Sequence, residues 1–143
     1  MMIPNFDENG NLPPGQHLAT LEEIEQNFTY NSSRKILFSG LSFLVDEFTK
    51  AGCTRLYLDG SFITDKEIPN DYDACWETDK VQPTIDPILL NPFKQLTEIR
   101  NKYKGDIFPR IPELQVGIDH LRIFQLDINV NVKGIIVIEL GVK

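Results

Sequence analysis

Residues 55–76 read RLYLDGSFITDKEIPNDYDACW, and this stretch decides how the rest of the chain is read. Leu56 and Leu58 alternate with Tyr57, which predicts a β-strand over Arg55 to Asp59 that ends at Gly60-Ser61. Pro69 pushes Ile68 to extended backbone and sets the entry to a second strand, Asp71 to Trp76. Successive side chains of a strand take opposite faces, so Asp71 and Asp73 share one face while Tyr72 and Ala74 take the other. Adjacent carboxylates repel each other unless a proton or a cation intervenes. Ligation by oxygen alone suits a hard divalent ion such as magnesium, which commonly also holds phosphates. Gly60 lets a phosphate approach the backbone, and Ser61 adds a hydroxyl beside its own N–H. The pattern fits a site for a metal ion and a triphosphate. The plainer reading is a glycine turn with Asp71 capping a loop through Asn70-Asp71.

A strand end, Gly-Ser, a polar excursion and then Asp-hydrophobic-Asp-hydrophobic stand here as Gly60-Ser61 and Asp71-Tyr72-Asp73-Ala74. This order resembles the signature of the DNA polymerase β-like nucleotidyltransferase superfamily. The LPPG segment from Leu12 to Gly15, the DGSF…PNDYDACW block and the KGI run from Lys133 to Ile135 resemble an uncharacterised bacterial family of small nucleotidyltransferase-like proteins. The resemblance implies one α/β domain over 1–143, a mixed sheet packed against helices, with 1–16 as an extended N-terminal arm. It also implies two magnesium ions held by three carboxylates. Asp71 and Asp73 hold both ions, and a third acid from a later strand binds the ion that activates an acceptor hydroxyl. By position that acid is Asp106, with Asp86 and Asp127 behind it.

The activity so implied moves a nucleoside monophosphate from a nucleoside triphosphate to a small-molecule or protein acceptor. Gly60 and Ser61 would bind the nucleotide, and Lys66 would reach a phosphate from the intervening turn; a solvated lysine is the alternative. Small superfamily members are often encoded beside a partner, in toxin–antitoxin or phage-defence pairs, so a protein partner is part of the same expectation. So is the absence of a second domain, which larger relatives use to hold their acceptor. The runner-up reading is a non-catalytic module of the same fold that acts by protein–protein contact. A third is a structural protein that self-associates through the apolar strand 135–140, which would make a homo-oligomer.

Composition narrows the classes. The chain has 143 residues, 41% hydrophobic and 24% charged, enough for one domain with a core of its own. Its net charge is −7 and it has no basic run, which disfavours DNA or RNA as a bulk substrate, since polyanions demand a basic stripe. No stretch has the length of a membrane-spanning helix, and no signal-peptide pattern opens the sequence. Cys53 and Cys75 lack zinc-ligand spacing and are expected as free buried thiols in a reducing, cytoplasmic setting. His17 and His120 have no acidic or cysteine partner at ligand spacing, and no Ser/His/Asp or Cys/His set can be assembled for nucleophilic hydrolysis.

The remaining elements follow from periodicity. Asn9-Gly10 and Pro13-Pro14-Gly15 mark turns in the arm, which Ile3, Phe6 and Leu12 would lay on the domain. Thr20-Leu21-Glu22-Glu23 is a capping box that opens a short helix with Leu21, Ile24 and Phe28 on one face. Asn31-Ser32-Ser33 starts a long amphipathic helix to Lys50, stopped by Gly52. One helical turn is expected at Pro87 to Leu90. A helix is expected from Phe93 to Tyr103, with Pro92 at its start and Gly105 at its end. Asp106-Ile107-Phe108 is a short strand bounded by Pro109, Pro112 to Leu126 a further helix, Asn129 to Lys133 a turn, and Ile135 to Leu140 a buried strand. Asp59 is expected to cap the turn rather than to serve a metal, and Tyr72 and Trp76 to pack behind the acids.

Overall fold

A computed structural model describes residues 3–110, 124–125 and 132–140. Among the described residues, five strands and three helices run in the order β1 (Gly15–Leu18), α1 (Leu21–Phe28), α2 (Ser32–Lys50), β2 (Arg55–Asp59), β3 (Tyr72–Glu77), α3 (Leu96–Tyr103), β4 (Gly105–Arg110) and β5 (Gly134–Glu139). Single 3₁₀ turns sit at Ser61–Ile63 and Pro87–Leu90. The sheet order is β1-β5-β2-β3-β4. β2 runs antiparallel to both its neighbours, whereas the outer pairs β1–β5 and β3–β4 are parallel. The fold is the expected α/β arrangement, helices packed on a mixed sheet.

Alternation along the strands divides the sheet into two unlike faces. Leu56, Leu58, Tyr72, Ala74, Trp76, Ile107, Ile136 and Ile138 meet the helices in one large core. There they join Ile24 and Phe28 of α1, Leu37, Leu41, Leu44 and Phe48 of α2, and Ile99 and Tyr103 of α3. The opposite face carries a smaller cluster of Tyr57, Cys75, Phe124, Ile135 and Val137. Tyr72 and Trp76 belong to the large core, as expected, and both cysteines are buried thiols outside any disulfide. Among the described residues no helix is long and apolar enough to cross a membrane.

Both capping expectations hold. The Thr20 hydroxyl accepts from the Glu23 amide while the Glu23 carboxylate accepts from the Thr20 amide, and Asn31 caps α2. Within the arm Leu12 is buried, and the arm's last residues enter β1, in register with Gly134 and Ile135 of β5. Gly134 is needed for that approach, because a Cβ there would lie 2.0 Å from the Pro13 carbonyl oxygen.

Other boundaries differ from expectation for physical reasons. β3 begins at Tyr72, so Asp71 is its entry residue. α3 begins at Leu96 rather than Phe93, because residues 91–95 form a turn closed by the Gln95 amide on the Asn91 carbonyl, 3.0 Å. Phe93 is 80% exposed and leans on Phe108. β4 runs through Pro109 to Arg110, since among the described residues β4 is an edge strand and the outward side of an edge tolerates a missing N–H. The expected helix over 112–126 lies outside the described residues, apart from Phe124 and Gln125. The expected turn at 129–133 is described only at Val132 and Lys133, and Asp127 and His120 are not described.

Candidate functional site

The site grows from register. Asp59 at the end of β2 stands opposite Asp73 of β3, and Asp73 stands opposite Asp106 of β4. Neighbouring strands lie about 4.8 Å apart, and residues directly opposite point to the same side, so the three carboxylates form a row across the sheet. The row lies on the face turned away from the helices, because Leu58, Ala74 and Ile107, which follow or precede these acids, enter the helical core. Asp71 shares the parity of Asp73 and adds a fourth carboxylate at the mouth of β3.

Gly60 closes this arrangement. Its φ of 93° suits glycine, and a Cβ built there would lie 3.0 Å from the Asp73 amide nitrogen and 3.1 Å from Asp73 Oδ2. The Gly60-Ser61 turn therefore leans directly on Asp73. Beyond it, the Ile63 and Thr64 amides return to the Gly60 and Ser61 carbonyls and form the 3₁₀ turn.

Burial, reinforced by Asp71, Asp59 and Asp106, pushes the Asp73 carboxyl up to about 7. Asp71 is also raised, by burial first and then by Asp106, against the pull of Arg100 and Lys66. Asp59 is raised by burial, opposed by Lys133, whose Nζ lies 2.8 Å from Asp59 Oδ1. The adjacent Gly60 amide also favours the charged form of Asp59. Asp106 receives both arms of a guanidinium: Arg100 Nε and Nη2 donate to its two carboxylate oxygens at 2.6 and 3.0 Å.

The expected residues are distributed unequally. Asp71, Asp73, Asp106, Gly60 and Ser61 come together at one end of β2, β3 and β4. Lys66 is exposed, and its charge is felt by Asp71 from the rim. Asp86 lies away from the row, where it accepts from Lys102 and from the Tyr103 hydroxyl. A hollow of about 370 Å³ adjoins Asp71, lined by Ile36, Leu37, Asn70, Asp71, Arg100 and Lys104. A hollow of about 430 Å³ opens elsewhere, between apolar walls that include Leu18, Val45, Ile138 and Leu140, and has no paired acids on adjacent strands.

Three cationic residues were not anticipated. Lys133 and Arg100 neutralise the ends of the row. Arg34, fully buried on α2, donates to the carbonyls of Phe28, Ser61, Phe62, Thr64 and Lys66 and so fixes the loop after Gly60. A signal existed for Arg34: it stands on the 34-37-41-44-48 progression that is otherwise apolar and buried.

Whether this donor set suits magnesium can be judged from its chemistry. Asp71 and Asp73 offer hard carboxylate oxygens, half-buried, and among the described residues no cationic side chain pairs with either. Their mutual repulsion favours any cation that enters, and the pair fits a divalent ion on those grounds. Among the described residues no group of three acids, histidines or cysteines converges closely enough to hold a metal. Asp106, the expected third ligand, faces Arg100 instead.

The sequence profile of a family of unknown function, DUF6932, matches residues 4–139. The chain belongs to this family. Searches of curated proteins and of solved structures each returned no match. In this DUF6932 member the matched region takes in the Gly-Ser turn, the four carboxylates and all three unanticipated cations.

Proposed function

We propose that this DUF6932 protein is a minimal nucleotidyltransferase of the DNA polymerase β-like kind. One observation carries the reading: Asp71 at the entry to β3 and Asp73 on it stand beside a positive-φ Gly-Ser turn, and Asp73 has a further acid abreast of it on each neighbouring strand. Asp71 and Asp73 would hold magnesium, which when bound neutralises charge on a triphosphate. The bare Gly60 backbone admits a phosphate oxygen, and the Ser61 hydroxyl and amide donate to it. Arg34 keeps that turn in shape. In the reaction an acceptor hydroxyl attacks the α-phosphorus, the new ester bond forms, and pyrophosphate leaves with the electron pair of the broken bond. Positioning rather than a covalent intermediate supplies the rate. The acidic chain favours a small-molecule or protein acceptor, and the hollow beside Asp71 is where its hydroxyl would enter.

A second reading, a non-catalytic module that grips a partner protein, draws on α2. Ile36 and Phe43 are 57% and 50% exposed, one heptad apart on the same helix face. Isothermal titration with ATP and GTP, with and without magnesium, separates the two. Magnesium-dependent nucleotide binding, lost in Asp71→Asn and Asp73→Asn while the fold persists, is the outcome expected of the enzyme. Unchanged heats in both variants would leave the partner-binding module.

A further inference from the structure

We infer that Arg100 takes the place of the second metal ion, so that the folded site accepts one divalent cation, at Asp71 and Asp73. This rests on the nucleotidyltransferase reading above and changes its ion count. Four carboxylates, Asp59, Asp71, Asp73 and Asp106, meet at the end of the sheet, and each end of the row is already neutralised. Lys133 Nζ lies 2.8 Å from Asp59 Oδ1, and Arg100 holds both oxygens of Asp106. With all four carboxylates ionised, the two resident positive charges leave two negative charges, which a single divalent ion matches.

The guanidinium is built in by the local fold. Only the αL residue Lys104, at φ 67°, separates the end of α3 from Gly105, the first residue of β4. A Cβ on Gly105 would lie 2.7 Å from the Tyr72 ring, so β4 is packed tightly on the strand that carries Asp73. The Tyr72 hydroxyl donates to the Tyr103 carbonyl at 2.8 Å and ties the end of α3 to that same strand. Arg100, one helical turn before this tie, is thus held over Asp106. Its planar fork satisfies both carboxylate oxygens at once, a geometry that lysine reproduces only as a point charge. With both oxygens engaged and its charge already paired, Asp106 is the poorer metal ligand, whereas among the described residues no cationic side chain pairs with Asp71 or Asp73.

The test is a manganese titration of the full chain, with free Mn²⁺ followed by its electron paramagnetic resonance signal and Mn²⁺ alone as the probe. Wild type is expected to take up one ion per chain. Arg100→Ala, and Arg100→Gln as a second neutral variant, should take up two. Arg100→Lys, which restores the charge, should return to one, as should Arg100→Ala combined with Asp106→Asn. Arg100 is half exposed at the end of its helix, and circular dichroism confirms the fold of each variant. Two ions in wild type, or one ion in both neutral variants, would overturn the inference and leave the nucleotidyltransferase reading standing. No uptake by wild type at all would overturn both.

Discussion

Burial and three neighbouring carboxylates make Asp73 the strained residue of the site, with its proton held up to about 7. The sign of the consequence follows from linkage. An unfolded aspartate titrates near 3.9, so between about 4 and 7 the native chain binds more protons than the unfolded one, and Asp73 makes stability fall as pH rises. The shift corresponds to a loss on the order of 4 kcal/mol across that window. Urea unfolding without divalent ions should therefore show wild type losing stability relative to Asp73→Asn between pH 4.5 and 8, with magnesium at pH 8 restoring part of the loss. Parallel profiles for the two proteins would remove the electrostatic account of this residue. Gly60 belongs to the same scale. Gly60→Ala places a Cβ against the Asp73 amide at positive φ, and should cost about 1–3 kcal/mol in chemical denaturation. These residues were legible in the sequence because their meaning is local: a glycine after a strand and an alternating acid pair need no tertiary information. The ion pairs of Lys133 and Arg100 were not legible. One joins residues far apart in the chain, and the other depends on where a helix hands over to a strand.

At the scale of elements, the loop that follows β2 is organised by α2. Arg34 satisfies five carbonyls from inside the protein, and its guanidinium lies 4.6 Å from the Tyr30 ring centroid. Arg34→Met keeps bulk but leaves those carbonyls without their charged donor. The expected cost is at least about 3 kcal/mol, measured by denaturation, with faster amide exchange confined first to residues 61–66. A global loss without that local signature would mean that Arg34 serves packing alone. Helix and strand identities were readable from periodicity and caps, as Thr20, Asn31 and the apolar stripe of α2 show. Boundaries failed where the edge of the sheet relaxed a rule, as at Pro109, or where a turn displaced the start of α3 to Leu96. β1 was missed as a strand because its pairing with β5 joins opposite ends of the chain, and a Pro-Gly-rich arm carries no strand periodicity of its own.

At the scale of the molecule, one sheet face is committed to the helical core and, among the described residues, the other carries a small apolar cluster and a row of acids. That division follows from alternation along β2, β3 and β4: Leu56, Leu58, Tyr72, Ala74, Trp76 and Ile107 turn to the helices, and Tyr57 and Cys75 turn the other way. The sequence identified the α/β class and the strand pair that carries the acids. Register alone could bring Asp59, Asp73 and Asp106 abreast. The central claim is that this row, beside the Gly60 turn, exists to hold a cation and the nucleotide it carries. It is tested most directly by crystals grown with Mn²⁺ and a non-hydrolysable ATP analogue, read by anomalous diffraction at the manganese edge. The account predicts a peak between Asp71 and Asp73, with the triphosphate against Gly60-Ser61. A bound analogue with no peak at those carboxylates, or one lodged in the apolar hollow beside Leu18 and Leu140, would contradict it.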